Sequence, residues 1–300
     1  MSTTTVIVQN AGSTGLAAIK ALNALGGCTV RVASRDPAKL REKLTGEDGA
    51  TAQVFQTGDA ALFAGADRFI CIAPGGTPAP ETRVTAALDF LSNAKAAGIK
   101  HGSVLSVVVA EGRRGLFGRQ WGEIEDAAST ADGGVTAVFV RAPMFHGNLW
   151  GDVAGVKSHD TFYAPVGGDT KLLSASAADV GEALAVAALD ASLGNKIVHV
   201  IGDNLTKNEI AVLYSKKLGR NIKFAQASVE GAIEAFTAFG MPLWQIEGVI
   251  ELFGNPETDA FVADRRGEFQ ALVGRAPMTI EQYIDAALIH GLKAAPEGKN

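Results

Sequence analysis

The stretch Val6-Ile7-Val8-Gln9-Asn10-Ala11-Gly12-Ser13-Thr14-Gly15-Leu16-Ala17-Ala18 decides the fold: an apolar strand, a glycine turn and the start of a helix. Gly12, Gly15 and Ala18 put a residue without a side chain at a tight turn, a second where backbone meets a pyrophosphate, and a small one where helix packs on strand. The helix N-terminus beyond the turn offers unpaired N–H groups and the positive end of a dipole to phosphates. An ordinary strand-to-helix turn can carry the same glycines. The strand before and the helix after supply the context a dinucleotide site needs, so Gly12, Ser13, Thr14, Gly15 and Leu16 are the expected phosphate-binding residues.

Outward from that turn, Leu16, Ile19, Leu22 and Leu25 are expected on one side of the helix, which Gly26-Gly27 stop. Thr29 to Ala33 then reads as a second strand and closes a β-α-β unit. At its end stands Ser34-Arg35-Asp36-Pro37-Ala38-Lys39, about twenty residues beyond the glycine turn, where such folds choose the cofactor through its adenosine ribose. An acidic residue there favours NAD. Arg35 instead offers a bidentate partner for a 2′-phosphate, with Ser34 and Lys39 as helpers, so NADP(H) is expected over NAD(H). The alternative is a solvated arginine, or one paired with Asp36.

The alternation continues. Gln53 to Gln56 reads as a third strand, followed by Asp59 and Ala60 where an adenine edge could be held. Arg68 to Ile72 reads as a fourth strand, running into Ala73-Pro74-Gly75-Gly76, a turn able to pass close under a cofactor ribose. Val84 to Ala97 has helical spacing and stops at Gly98. Ser103 to Val109, containing Ser106, is a fifth strand, Gln120 to Ala128 a helix, and Thr136 to Arg141 a sixth strand. Pro143, Met144, Phe145 and His146 form the loop after it. Strands separated by helices imply a doubly wound parallel Rossmann sheet, whose ligands bind beyond the strands' carboxyl ends. The candidate cofactor residues fall at such ends.

Gly112 to Gly118, with Arg113 and Arg114, reads as a mobile loop or a solvated connection. From about Trp150 the pattern changes, and a smaller, mainly helical C-terminal lobe is expected. The division is residues 1–150 for the nucleotide domain and 151–300 for the lobe, interleaved around 170–202. Thr161 to Ala164 and Lys171 to Leu173 frame a hairpin-like turn at Gly167-Gly168-Asp169. Capping signatures place helix starts at Ser176 with Asp179, Thr206 with Glu209 and Thr279 with Gln282. Ile197 to Ile201 reads as a strand, Glu230 to Phe239 and Leu243 to Phe253 as helices, and Ala294 to Asn300 as a frayed tail.

Composition bounds the function. A net charge of −5 with 27 basic and 32 acidic residues leaves no basic footprint for nucleic acid. Two cysteines, Cys28 and Cys71, make no disulfide framework and suit buried thiols in a reducing compartment. No signal peptide and no membrane-length apolar run is visible, so a cytoplasmic protein without membrane contact is expected, a monomer or homodimer. No His-Glu-x-x-His or cysteine–histidine cluster supports a metal.

Several segments together resemble the NmrA-like family of atypical short-chain dehydrogenases/reductases over nearly the whole chain. Gly12 to Ala18 is similar to its G-A-T-G-x-x-G turn, and Val30-Arg31-Val32-Ala33-Ser34-Arg35-Asp36-Pro37 to its V-R-A-x-x-R-x-P strand end. Ala96-Ala97-Gly98-Ile99-Lys100-His101 is similar to A-G-V-K-H. Glu125 and Arg141-Ala142-Pro143-Met144-Phe145-His146-Gly147-Asn148 resemble the closing glutamate of K-x-x-x-E and an R-P-x-x-F-x-x-N loop, with the proline displaced by one. Asp179-Val180-Gly181 and Gly274-Arg275-Ala276-Pro277-Met278-Thr279 resemble two later segments. The resemblance implies a Rossmann fold, an NADP phosphate on Arg35 and nicotinamide near Ala73-Pro74-Gly75, Ser106 and Pro143-Met144-Phe145.

Classical members of the wider superfamily use a Tyr-x-x-x-Lys pair as proton donor and ribose holder. This chain has only Tyr163, Tyr214 and Tyr283, and Trp121 stands where many relatives have the lysine. Reduction of a quinone-like or conjugated aromatic acceptor needs no protein acid, because the proton comes from water and the protein positions the acceptor. The rival expectation is a redox sensor that binds NADP(H) without turnover and reports to a protein partner. Candidate groups near the chemistry stay open: His146 as a donor or a locally bonded loop histidine, Trp121 as a nicotinamide cover or helix packing, Ser106 as a strand-end hydrogen bonder rather than a nucleophile. Phe239 and Trp244 are read as lid or core.

Overall fold

Alternating side-chain direction along the first strands sets the layers of the fold. In the computed structural model, which describes residues 3–45, 50–129, 135–254, 256–257 and 259–293, Ile7, Phe69, Cys71, Val104, Ala137 and Phe139 share one apolar cluster with Val84, Ala87, Phe90 and Ile124. The intervening residues Val6, Val8, Ile70 and Val138 are also fully enclosed, as expected where helices cover both faces of a parallel sheet.

The strands are β1 (Thr4–Val8), β2 (Cys28–Ser34), β3 (Gln53–Gln56), β4 (Arg68–Cys71), β5 (His101–Val107), β6 (Thr136–Ala142), β7 (Met144–Phe145), β8 (Thr161–Ala164), β9 (Leu172–Ala175), β10 (Ile197–His199), β11 (Asp203–Leu205) and β12 (Lys223–Gln226). Seven of them make a parallel sheet in the order β10-β6-β5-β4-β1-β2-β3. The strand order reverses between β1 and β4, the switch point at which doubly wound sheets open a crevice. The helices α1 (Ser13–Leu25), α2 (Pro37–Leu44), α3 (Pro80–Ala96), α4 (Gly115–Ala128), α5 (Val153–His159) and α6 (Ala177–Leu189) follow in chain order.

Residues 1–142, 177–200 and 267–276 form one compact unit around this sheet, and residues 143–176, 201–266 and 277–300 form a second. In the first unit, α1 lies against α6 so closely that a Cβ on Gly181 would meet the Ala17 Cβ at 2.5 Å. Ser103 donates to the Leu184 carbonyl at 2.8 Å, pinning β5 to the same helix. α3 and α4 cover the other face. The buried stripe of α1 is Thr14, Gly15, Ala18, Ile19 and Leu22; Leu25, expected with it, ends the helix and is 53% exposed.

The second unit holds α7 (Lys207–Leu218), α8 (Val229–Ala238), α9 (Leu243–Gly254), α10 (Asp259–Arg265), α12 (Ile280–Tyr283) and α13 (Ile289–Lys293), while α11 (Glu268–Val273) belongs to the first. It is mainly helical with two small sheets, β11-β9-β7 and β12-β8. Its core joins Phe162, Tyr214, Ile222, Ile284 and Leu288. No described helix is long and apolar enough to cross a membrane.

Three local expectations need correction. β8 and β9 do not form a hairpin: β8 pairs in parallel with β12, and β9 pairs with β7 and β11. The turn at Gly167 exists, closed by the Thr170 N–H on the Gly167 carbonyl, but it delivers the chain to another sheet. Residues 115–118 are the first turn of α4 rather than a loop, and Gly118 is required because a Cβ there would lie 2.4 Å from the Val109 carbonyl oxygen. His146 to Asp152 is a short 3₁₀ helix, not an open loop. The capping boxes at Thr206 with Glu209 and Thr279 with Gln282 both form. The expected tail, 294–300, lies outside the described residues.

Candidate functional site

The carboxyl ends of β1, β2, β4 and β5 converge on the switch point of the first unit. The β1–α1 turn is built around Asn10. Its side-chain oxygen accepts from the Gly12 N–H at 3.0 Å, and its amide donates to the Ile72 carbonyl just beyond β4 at 2.5 Å. Asn10 thus ties together the two loops that flank the crevice. Gly15 fits only without a side chain, since a Cβ would stand 1.9 Å from the Asn10 carbonyl oxygen. Gly12 caps α1 with no side-chain hydrogen bond, and no acidic residue occupies the first turn. The α1 amide end therefore keeps its donors and its dipole for an anion. Gly12 and Ser13 are exposed, Leu16 is half-buried and Thr14 is buried.

At the end of β2, Asp36 is the N-cap of α2, its carboxylate accepting from the Lys39 N–H at 3.1 Å. The Ser34 hydroxyl oxygen accepts from the Asp36 N–H at 3.1 Å. Arg35 is exposed, and among the described residues none pairs with its guanidinium. The capping role of Asp36 removes the partner that sequence offered as the alternative for Arg35. Asp59 caps the short turn Ala60–Leu62 through the Ala61 N–H at 2.9 Å, and both Asp59 and Ala60 are exposed.

The β4 and β5 ends are closed by side chains. Ala73 is buried, Pro74 half-buried, and Gly75 and Gly76 exposed, with φ of +60° at Gly76. Arg83, on α3 and 3% exposed, donates from Nε to the Pro74 carbonyl at 3.2 Å and from Nη1 to Gln120 Oε1 at 3.2 Å. Its guanidinium carbon lies 4.7 Å from the Trp121 ring centroid and 5.4 Å from that of Phe117. Burial lowers its pKa to about 10. Trp121 is itself packed, its Nε1–H on the Leu105 carbonyl at 3.1 Å and its ring edge-on to Phe117.

Ser106 is fully enclosed, and its hydroxyl donates to Glu125 Oε1 at 2.5 Å. Arg141 holds the same carboxylate with two bonds of 3.0 and 2.9 Å and reaches Glu111 at 3.2 Å. Glu268 accepts from the backbone N–H of His199 at 2.7 Å and meets its Nδ1 at 2.9 Å. Ser106 is thus the end of a polar chain. Among the described residues no histidine bonds to Ser106, and its proton is committed to a carboxylate.

Pro143, Met144, Phe145 and His146 belong to the second unit. Met144 and Phe145 form β7 beside β9, and Met144 packs near Ala164 and Leu172. His146 is buried, its ring 5.6 Å from that of Tyr283. All three tyrosines lie in this unit, and α4 carries neither tyrosine nor lysine. Phe239 is 76% exposed and so is no part of a core.

Sequence reasoning missed Asn10, Arg83 and Gln120. Arg83 did leave a signal: it falls on the buried stripe of α3 with Ala87, Phe90, Leu91 and Ala94, a cation where helical spacing calls for an apolar residue.

A sequence model of the NmrA-like family matches residues 1–284. The NAD(P)H azoreductase of Xenophilus azovorans is 25% identical over 229 residues, covering 75% of this chain and 77% of that one. Among solved structures, an NADPH-dependent quinone oxidoreductase of Escherichia coli complexed with NADPH superposes with a TM-score of 0.77 at 21% identity, covering 94% of this chain and 99% of the other. NmrA, a negative transcriptional regulator in complex with NAD, superposes with a TM-score of 0.69 at 18% identity, covering 96% of each chain.

Proposed function

Because this chain belongs to the NmrA-like family, we propose that it is an NAD(P)H-dependent reductase that prefers NADPH and passes hydride to a quinone-like or other conjugated aromatic acceptor. The observation that carries the reading is the β1–α1 turn: uncapped α1 amides, a Gly15 that tolerates no side chain, and an exposed Arg35 beyond β2 whose neighbouring Asp36 is spent as a helix cap. These residues fit an adenosine bearing a 2′-phosphate, with the pyrophosphate on the amides of Ser13 to Gly15, the Leu16 N–H being taken by the Gly12 carbonyl, and the 2′-phosphate on Arg35, Ser34 and Lys39. The names of the azoreductase and the quinone oxidoreductase support the acceptor class.

When bound, the reduced nicotinamide supplies a hydride. The chain's own residues would bind and orient it: the Ala73–Gly75 backbone and the β5 end would hold the nicotinamide half, and Arg83, Trp121, Glu125 and Arg141 fix those segments through their bonds to Pro74, Leu105 and Ser106. With no tyrosine or lysine on α4, the proton that accompanies reduction comes from water, which suits acceptors whose product oxygen or nitrogen is solvated. The NAD complex of the NmrA regulator supports a second reading, a sensor that binds dinucleotide without turnover.

The test is NADPH oxidation against a panel of benzoquinones, naphthoquinones, azo dyes and triphenylmethane dyes. The proposal expects turnover with at least one class, falling about tenfold in kcat/KM in Arg35→Ala through loss of a charge-assisted phosphate contact. Saturable binding with no turnover across the panel favours the sensor instead.

A further inference from the structure

The loop after β4 is held from two sides. Asn10 takes the Ile72 carbonyl and Arg83 takes the Pro74 carbonyl, at 2.5 and 3.2 Å. Between and beyond these anchors, Gly75 and Gly76 are exposed, and a Cβ on either would meet nothing within 4 Å. The loop therefore leaves a bare backbone edge uncovered at Gly75 and Gly76 while its Ile72 and Pro74 carbonyls are fastened.

The fastening on the Arg83 side is itself braced. Gln120 accepts from Arg83 and donates its own amide to the Pro80 carbonyl at 3.0 Å, at the first residue of α3. The Trp121 ring under the guanidinium is fixed by its bond to Leu105, the residue before Ser106. One side chain thus links the end of β4 to the end of β5, the two strands between which a bound ring would be oriented. A fork that stacks on aromatic rings and donates in its plane suits this position better than an ammonium would.

We propose that Arg83 is a positioning residue for the nicotinamide half of the bound dinucleotide, acting through the Ala73–Gly76 backbone and leaving the adenosine half untouched. This rests on the reading of the β1–α1 crevice as a dinucleotide site. Arg83 is buried and bonded to the Pro74 carbonyl, so its influence would be carried by that backbone. Its removal frees Pro74 and unseats Trp121, so the loop samples positions that no longer match the nicotinamide ribose.

The experiment compares wild type, Arg83→Met, Arg83→Lys and Gln120→Ala for binding of NADPH and of its adenosine half, 2′,5′-ADP, with NADH and 5′-AMP as the parallel pair. Arg83→Met is expected to weaken NADPH about tenfold and 2′,5′-ADP less than about twofold, with Arg83→Lys and Gln120→Ala in between. A role confined to general folding would weaken both ligands alike. Thermal melts and circular dichroism establish that each variant is folded; Gln120→Ala keeps the cation and carries the comparison if Arg83→Met does not fold. Equal weakening of both ligands, or an unchanged NADPH affinity in the folded variants, overturns the proposal. Wild type that binds 2′,5′-ADP and NADPH equally well also overturns it while leaving the dinucleotide reading standing, and wild type that binds none of the four ligands overturns both.

Discussion

The two ends of the crevice in the first unit are built in opposite ways. At the β1–β2 end, Gly12, Ser13, Arg35, Lys39, Asp59 and Ala60 are exposed, and their side chains make few bonds within the fold. At the β4–β5 end, Ala73, Arg83, Ser106, Trp121 and Arg141 are buried; Arg83 bonds to the Pro74 carbonyl and Gln120, Trp121 to the Leu105 carbonyl, and Ser106 and Arg141 both to Glu125. The first end keeps its donors free for phosphate, where charge and backbone amides suffice for binding. The second commits its polar groups in advance, which fixes geometry at the cost of burying charge. The first end is therefore expected to govern binding of the adenosine half, and the second the placing of the nicotinamide half and stability.

That contrast breaks most sharply at Gly15. Gly15→Val places side-chain carbon against the Asn10 carbonyl, and is expected to abolish saturable NADPH binding and destabilise the fold by about 1–3 kcal/mol, read by titration and urea denaturation. Arg141→Met comes next. It strips both bonds from Glu125, which is 12% exposed, and leaves that carboxylate without its cation. A loss of about 3 kcal/mol in unfolding free energy is expected, with 2′,5′-ADP binding retained by the protein that remains folded. Arg35→Ala reverses the pattern: stability unchanged within about 0.5 kcal/mol, NADPH weakened about tenfold and NADH unchanged.

The smallest effect lies in the second unit, where Asp152 accepts from the Tyr214 hydroxyl at 2.9 Å and faces Lys207. Burial raises the Asp152 pKa from 3.8 to about 6, against the attraction of Lys207 and the bond from Tyr214. The folded state therefore holds a proton that the unfolded chain releases between pH 4 and 6. The contribution of this group to stability is fully present below pH 4 and declines as pH rises through about 6. Asp152→Asn is expected to flatten that slope, by at most about 1.4 kcal/mol per pH unit, with no effect on dinucleotide binding. An unchanged pH profile would remove Asp152 as its source.

How much was legible follows the same division. The β1–β2 end lies in contiguous motifs, and Gly12 and Gly15 show in sequence because a turn and a close approach each demand glycine, whereas Asp36 is legible only as a partner for Arg35 and is found as the cap of α2. The parallel strands show because their runs are apolar on both faces. The β4–β5 end is assembled from α3, α4, β5 and β6, and no local spacing announces that Arg83 meets Pro74 or that Arg141 meets Glu125. Ala73 to Gly75, Ser106, Trp121, Glu125 and Arg141 are named from sequence without the bonds that join them, and Arg83 leaves only the mark of a cation on an apolar helix stripe. β8 and β9 read correctly as strands, yet their partners β12, β7 and β11 are chosen by the packing of the second unit, so the nearby turn suggested the wrong pairing. Gly115 and Gly118 looked like loop residues, whereas the approach of the Val109 carbonyl makes glycine necessary at 118 inside a helix, and Gly115 enters that helix with φ of +63°.

The central claim is that the amide end of α1 and the guanidinium beyond β2 together hold a phosphorylated dinucleotide. Its most direct test is a fluorescence titration of the purified wild-type protein with NADPH and with NADH. The account predicts saturable binding of NADPH in the micromolar range and weaker binding of NADH. Absence of saturation by either nucleotide at millimolar concentration contradicts it.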